Sequence, residues 1–115
     1  MTPPPSSFQI IESEAGDALR LSPTGDLDML TAPLLDERLA ALRALKRPVV
    51  LDLSRVPFID STGLHLLIRA VGEARIKRWR LQIDPDVSPQ VMRLLRLVHV
   101  DRFLMSEDAS ADAPT

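Results

Sequence analysis

The chain has 115 residues, 45% hydrophobic and 26% charged, with a net charge of −2; that suits one domain with a single core and gives no basic face for nucleic acid. It contains no cysteine, one Trp, three Phe and no Tyr, which excludes a disulfide framework, thiolate chemistry and a stacking surface for single strands. Residues 1–7 lack the basic and apolar regions of a signal peptide and no run approaches membrane-spanning length, so a cytoplasmic protein without membrane insertion is expected.

In chain order, residues 1–7 are Pro- and Ser-rich and are expected to form a disordered lead-in. Phe8–Glu12 and Ala18–Ser22 are apolar segments around Ser13–Asp17, which predicts a hairpin with a loop of several residues. Pro23-Thr24-Gly25 breaks that pattern, and Asp26-Leu27-Asp28 follows as a strand end or loop. Thr31 is a candidate cap for a helix with Pro33 in its first turn, and Leu35, Leu39, Leu42 and Leu45 supply its apolar stripe. Lys46 and Arg47 close it, where cations suit the negative end of the dipole.

Pro48 opens the run Val49-Val50-Leu51-Asp52-Leu53, whose Val-rich character predicts a strand buried on both faces. Asp52 within it needs partners, and bonds to backbone or hydroxyl groups near the strand end are expected. Leu64, Leu67, Ile68 and Val71 then recur at helical spacing, with Arg69 and Glu73 off the stripe. Asp60-Ser61-Thr62 stands between strand and helix, where the first helical amides are unpaired and an anionic group is tolerated. Arg75, Lys77, Arg78 and Arg80 at the helix end read as dipole complementation and solvation. Trp79–Ile83 predicts another strand, and Ser88-Pro89 starts a helix that buries Val91, Leu94, Leu95 and Val98. A last short strand is expected over Arg102–Met105, before a small, acidic and disordered tail at 106–115. This alternation predicts one α/β domain over 8–105: a mixed, mostly parallel sheet with an N-terminal antiparallel hairpin and packed helices.

The run Val50-Leu51-Asp52-Leu53-Ser54, Val56, Phe58-Ile59-Asp60-Ser61-Thr62-Gly63-Leu64 resembles the signature of STAS domains, in particular the small anti-sigma-factor antagonists. Gly25-Asp26-Leu27-Asp28 looks like the family's element before its first helix, and Pro85, Val91, Leu94-Leu95 and Phe103-Leu104 match looser later positions. The resemblance implies a STAS fold and a phosphorylation switch. The unphosphorylated antagonist would bind an anti-sigma factor that is also a serine kinase, releasing the sigma factor to activate transcription. Ser61 would be the acceptor, a serine phosphatase would reset it, and Asp26, Asp28, Asp60, Thr62, Gly63, Leu64 and His65 would share the partner surface. Another role within the same family is the STAS subunit of a lipid-transport ATPase complex, docked without a phosphate cycle. Three departures stand out. Ile76-Lys77-Arg78-Trp79 replaces the usual glycine before the fourth strand, His99 replaces another, and no apolar stripe for a last helix follows Met105.

An enzyme is not expected. Asp60-Ser61 with His65 one turn on invites a Ser-His-Asp reading, yet Ile59 stands where a Gly-x-Ser-x-Gly elbow has its first glycine. Asp26, Asp28 and Asp60 offer too few oxygen ligands for a hard cation. No metal or cofactor is therefore expected.

Overall fold

A computed structural model describes residues 8–105; the expectations for residues 1–7 and 106–115 lie outside this range. The elements are β1 (Gln9–Ala15), β2 (Ala18–Thr24), α1 (Ala32–Ala44), β3 (Val49–Leu51), α2 (Ser61–Lys77), β4 (Leu81–Ile83), α3 (Pro89–Leu97) and α4 (Asp101–Met105). The strands form one sheet in the order β1-β2-β3-β4. β1 and β2 are antiparallel, whereas β2–β3 and β3–β4 are parallel. The expected mixed α/β sheet with an N-terminal hairpin is therefore present.

The hairpin turn is tighter than the sequence suggests. Ala15 pairs with Ala18, leaving Gly16-Asp17 as the whole connection, with Gly16 at φ 64°. Only glycine adopts that left-handed conformation without cost. Pro23 and Thr24, expected to break the pattern, complete β2 instead. Pro23 lies beyond the β2–β3 ladder, which ends at Leu21–Leu51, so its missing N–H costs no bond on that side.

The central strand is not buried on both faces. Leu19, Leu21, Val49, Leu51 and Ile83 are buried on the side of α1 and α2, which pack on each other. The register aligns Arg20, Val50 and Gln82 on the opposite side, all half-buried. Ser22, Asp52 and Asp84 continue that row by strand alternation. Arg20 lies 3.1 Å from Asp84 and 3.4 Å from Asp52, and Asp52 also accepts from Ser22 Oγ at 3.3 Å and from the Ser54 amide at 3.0 Å. Partial burial opposes ionisation of Asp52, but the Ser54 and Ser22 hydrogen bonds with the Arg20 charge prevail and hold its carboxyl below the ordinary value. That contribution is fully present above the ordinary carboxylate pKa and is lost as pH falls through the lowered one. Helices cover one face of the sheet; a polar network covers part of the other.

On α1, Ala32, Leu35, Leu39 and Leu42 are buried, while Leu45, expected on the same stripe, is exposed at the helix end. On α2 the buried residues are Gly63, Leu66, Leu67, Ala70, Val71 and Ala74, with Leu64 and Ile68 half-buried at the margin. Arg43–Glu73 at 2.6 Å and Arg69–Asp36 at 3.3 Å bridge the two helices. The basic cluster after α2 disperses into separate contacts: Arg80 pairs with Asp17, and Arg75 donates to the Phe103 carbonyl with its guanidinium 4.4 Å from that ring's centre.

Those contacts bear on the C-terminal correction. Arg102–Met105 is helical, not a strand. The Leu104 amide bonds Val100 O at 3.0 Å, Leu104 is buried, and the grip of Arg75 on Phe103 fastens the turn to α2. The sheet therefore ends at β4.

The three longer helices stop in the same way. The amides of Arg47, Trp79 and Val100 reach back to Leu42, Ala74 and Leu95, with Lys46, Arg78 and His99 left-handed at φ 55°, 54° and 61°. This is the Schellman ending, whose left-handed position normally holds glycine. Arg78 and His99 lie where the resemblance implied glycines, and the side chains there accept strain of about 1 kcal/mol each.

Gly63 is required for a different reason. A Cβ there would lie 2.6 Å from Leu27 O and 2.8 Å from Ile59 Cγ1, because the first turn of α2 rests on the parallel bridge between Leu27 and Ile59. Gly63→Ala is expected to cost about 1–3 kcal/mol by urea unfolding. Gly72→Ala in the same helix, where an added Cβ meets nothing within 4 Å, should be neutral or stabilising. Arg78→Gly should raise stability by about 0.5–1 kcal/mol and Arg78→Ala should not, since only glycine relieves a left-handed φ. Equal responses of the two Arg78 variants would contradict this account of the helix ending.

Candidate functional site: the start of α2

The site is built by one pair of crossing segments. Leu27 donates its amide to Phe58 O at 2.9 Å, and Asp60 donates its own to Leu27 O at 3.1 Å. Segment 25–28 is thereby laid beside 58–60. Asp60 then caps α2: its Oδ1 accepts the Gly63 amide at 3.0 Å, and its Oδ2 accepts the Met29 amide at 3.1 Å. One carboxylate fixes the helix start and the loop before α1 together.

The loop has its own carboxylate. Asp28 Oδ1 accepts the amides of Leu30 and Thr31 at 3.0 and 3.1 Å, and Thr31 Oγ1 accepts from the Asp28 amide at 2.9 Å while donating to Asp26 O at 2.7 Å. Thr31 thus braces the turn from below rather than capping α1 with its hydroxyl. Ser88 behaves alike, donating to Val56 O at 2.6 Å instead of capping α3. Of the helix starts at Thr31, Asp60 and Ser88, only the one at Asp60 is capped by a side chain.

Ser61 is consequently the first residue of α2, exposed, and its hydroxyl has no hydrogen-bond partner among the described residues. A serine at a helix start is ordinarily a cap. Here that work is done by Asp60, leaving the Ser61 hydroxyl uncommitted. Thr62 and His65 are also exposed but turn toward α1, where with Asp36 and Arg69 they line a shallow groove of about 310 Å³. Leu64 is half-buried against the core, and Gly63 is buried. Of the eight expected surface residues, Asp26, Ser61, Thr62 and His65 present side chains outward, while Asp28 and Asp60 are half-buried and bonded to backbone amides.

Three residues that sequence reasoning missed complete the surface. Met29 is 67% exposed, Leu30 68% and Phe58 52%. The Asp60 clasp brings Met29 against the start of α2, and Phe58 precedes it on the bridged segment. Their signal in the sequence was that Met29 and Leu30 fall outside the α1 stripe and that Phe58 alternates with buried Ile59. An exposed apolar group around a free hydroxyl suits protein docking.

The arrangement gives no support for hydrolysis. Both Asp60 oxygens accept backbone amides, and His65 forms no hydrogen bond to Asp60 or Ser61. Among the described residues no group of three or more His, Asp or Glu is placed to hold a metal ion, and no helix is long and apolar enough to cross a membrane.

The family model described as "Mlab, STAS domain" matches residues 10–106. The structure is similar to an anti-sigma factor antagonist from Mycobacterium paratuberculosis, at 29% identity over 87% of this chain and 85% of that one, with a TM-score of 0.72. A putative anti-sigma factor antagonist from Thermotoga maritima shares the fold at 20% identity, covering 84% of this chain and 83% of that one with a TM-score of 0.67. The anti-sigma factor antagonist SpoIIAA in its unphosphorylated form shares it at 18% identity, covering 78% and 82% with a TM-score of 0.59. With the family model matched over residues 10–106 and the mixed sheet in place, the chain belongs to the STAS-domain family.

Proposed function

We propose that this chain is an anti-sigma-factor antagonist switched by phosphorylation of Ser61. In its unphosphorylated form it docks, through Ser61, Met29, Leu30 and Phe58 with Asp26, Thr62 and His65 at the rim, on an anti-sigma factor that has serine-kinase activity. Docking frees the sigma factor and activates transcription. A serine phosphatase restores the docking form. The observation that carries this reading is the uncommitted Ser61 hydroxyl, exposed at a helix start that Asp60 already caps. The likeness at 29% identity to a protein described as an anti-sigma factor antagonist supports it.

Physical chemistry favours a switch of surface over a switch of fold. Phosphate adds about −1.5 to −2 charge at neutral pH, and the free amides and dipole of a helix start accommodate it. The next cations along α2 are His65, when protonated, and Arg69, which is paired with Asp36. The new charge would therefore stay largely uncompensated in the middle of an apolar docking surface, where desolvation disfavours the complex. Thr62 faces the groove beside α1, so only Ser61 would meet the bound nucleotide of a docked kinase. Asp28 acts on docking through the loop it builds.

The experiment is incubation of the full chain with its anti-sigma kinase and ATP, followed by phosphosite mapping and affinity measurement. Phosphate is expected on Ser61 and not Thr62. Ser61→Ala should bind as wild type, whereas Ser61→Asp should weaken binding by about 1–3 kcal/mol while keeping its fold. Unchanged affinity of Ser61→Asp for an ATPase partner would overturn the switch and favour a constitutive subunit instead.

A further inference from the structure

Many arginines of this protein are committed to internal contacts. Arg20, Arg38, Arg43, Arg47, Arg69 and Arg80 all form ion pairs, the one from Arg38 being to Glu12. Arg75 is held by the Phe103 carbonyl. Arg93 and Arg96, by contrast, are exposed and have no carboxylate partner among the described residues. Arg55, Arg78 and Arg102 also have no carboxylate partner there, but none of them shares a helix face with a second unpaired arginine.

Arg93 and Arg96 share one face of α3 with Pro89, Met92 and Leu97, spacings that place all five on a single outward stripe. With His99 they line a shallow groove of about 520 Å³. Leu97 is 70% exposed and the adjoining Val98 42%. The inward side of the same helix is fully used: Val91 and Leu95 are buried, and the Ser88 hydroxyl is tied to Val56 O. On the outward stripe only Met92 packs partly against the core, and Arg93, Arg96 and Leu97 stay exposed.

We propose that this stripe is a second docking surface, fitted to an acidic amphipathic segment of a partner protein. Glutamates or aspartates of the segment would meet Arg93 and Arg96, and its apolar side chains would seat on Met92 and Leu97. Two cations interleaved with apolar side chains match such a segment better than a nucleic-acid backbone, which takes a longer row of cations and stacking aromatics. A lipid surface calls for a larger apolar face with basic flanks. The surface adjoins the candidate site, since a cleft between Phe58 and the Gln90–Leu94 side of α3 separates the two. One partner could span both, yet the proposal stands without the Ser61 switch.

The test is a titration of the isotope-labelled full chain, followed by amide chemical shifts. The probes are a synthetic amphipathic helix of Leu and Glu, its Leu and Lys counterpart, phosphatidylglycerol vesicles and a single-stranded RNA. Saturable shifts confined to residues 89–99 are expected with the acidic peptide alone, weakening as salt rises. Arg93→Glu with Arg96→Glu should reduce its affinity at least about tenfold with unchanged thermal stability, both side chains being exposed. The proposal fails if the acidic peptide leaves α3 unshifted, if the Lys peptide binds as well, or if the double variant keeps its affinity. Tighter binding of vesicles or RNA at the same residues would also overturn it, and assign the surface to that ligand.

Discussion

One carboxylate organises the functional end of this molecule. Asp60 receives the Gly63 amide on one oxygen and the Met29 amide on the other, while its own amide donates to Leu27 O and the Leu27 amide donates to Phe58 O. These bonds are compatible only with a first turn of α2 pressed onto the 25–28 segment, and that approach leaves no room for a side chain at residue 63. Ser61 is carried outward by the same geometry. That its hydroxyl stays uncommitted is thus a consequence of what Asp60 and Gly63 do for the fold.

The fold below the site follows from how the two parallel crossovers are arranged. With α1 and α2 packed on each other over one face, the other face keeps half-buried Val50 beside Arg20 and Gln82 and carries the Arg20–Asp52–Asp84 network. The helices therefore need only one apolar stripe each, and the sheet needs alternation rather than uniform hydrophobicity. The Arg43–Glu73 bridge on the α1–α2 seam and the Trp79 indole, which donates to Arg47 O at 2.6 Å, tie the far end together.

Much of this was legible in the sequence. The Asp60–Leu64 junction, the proline-marked starts of α1 and α3 and the alternation of strands with helices all carry local signals that tertiary packing kept. Other features depend on what lies across the fold. Val50 looks like a core residue until the register sets it between Arg20 and Gln82. Phe103 and Leu104 look like a strand because both are apolar, yet α4 forms where Arg75 holds the Phe103 carbonyl. Thr31 and Ser88 look like caps, but better acceptors for their hydroxyls stand elsewhere, at Asp26 O and Val56 O. Met29, Leu30 and Phe58 were invisible as a group, since only the Asp60 clasp brings the two segments together.

The central claim is that phosphate on Ser61 alters the surface and leaves the clasp beneath it intact. The most direct measurement is amide hydrogen exchange on the full chain carrying phosphoserine at position 61, compared with the unmodified chain. The account predicts that the Met29 and Gly63 amides, bonded to Asp60, stay equally protected in both, with changes limited to the exposed first turn of α2 and its neighbours. Loss of protection at Met29 and Gly63, spreading into α2, would contradict it and show that phosphate acts by opening the fold.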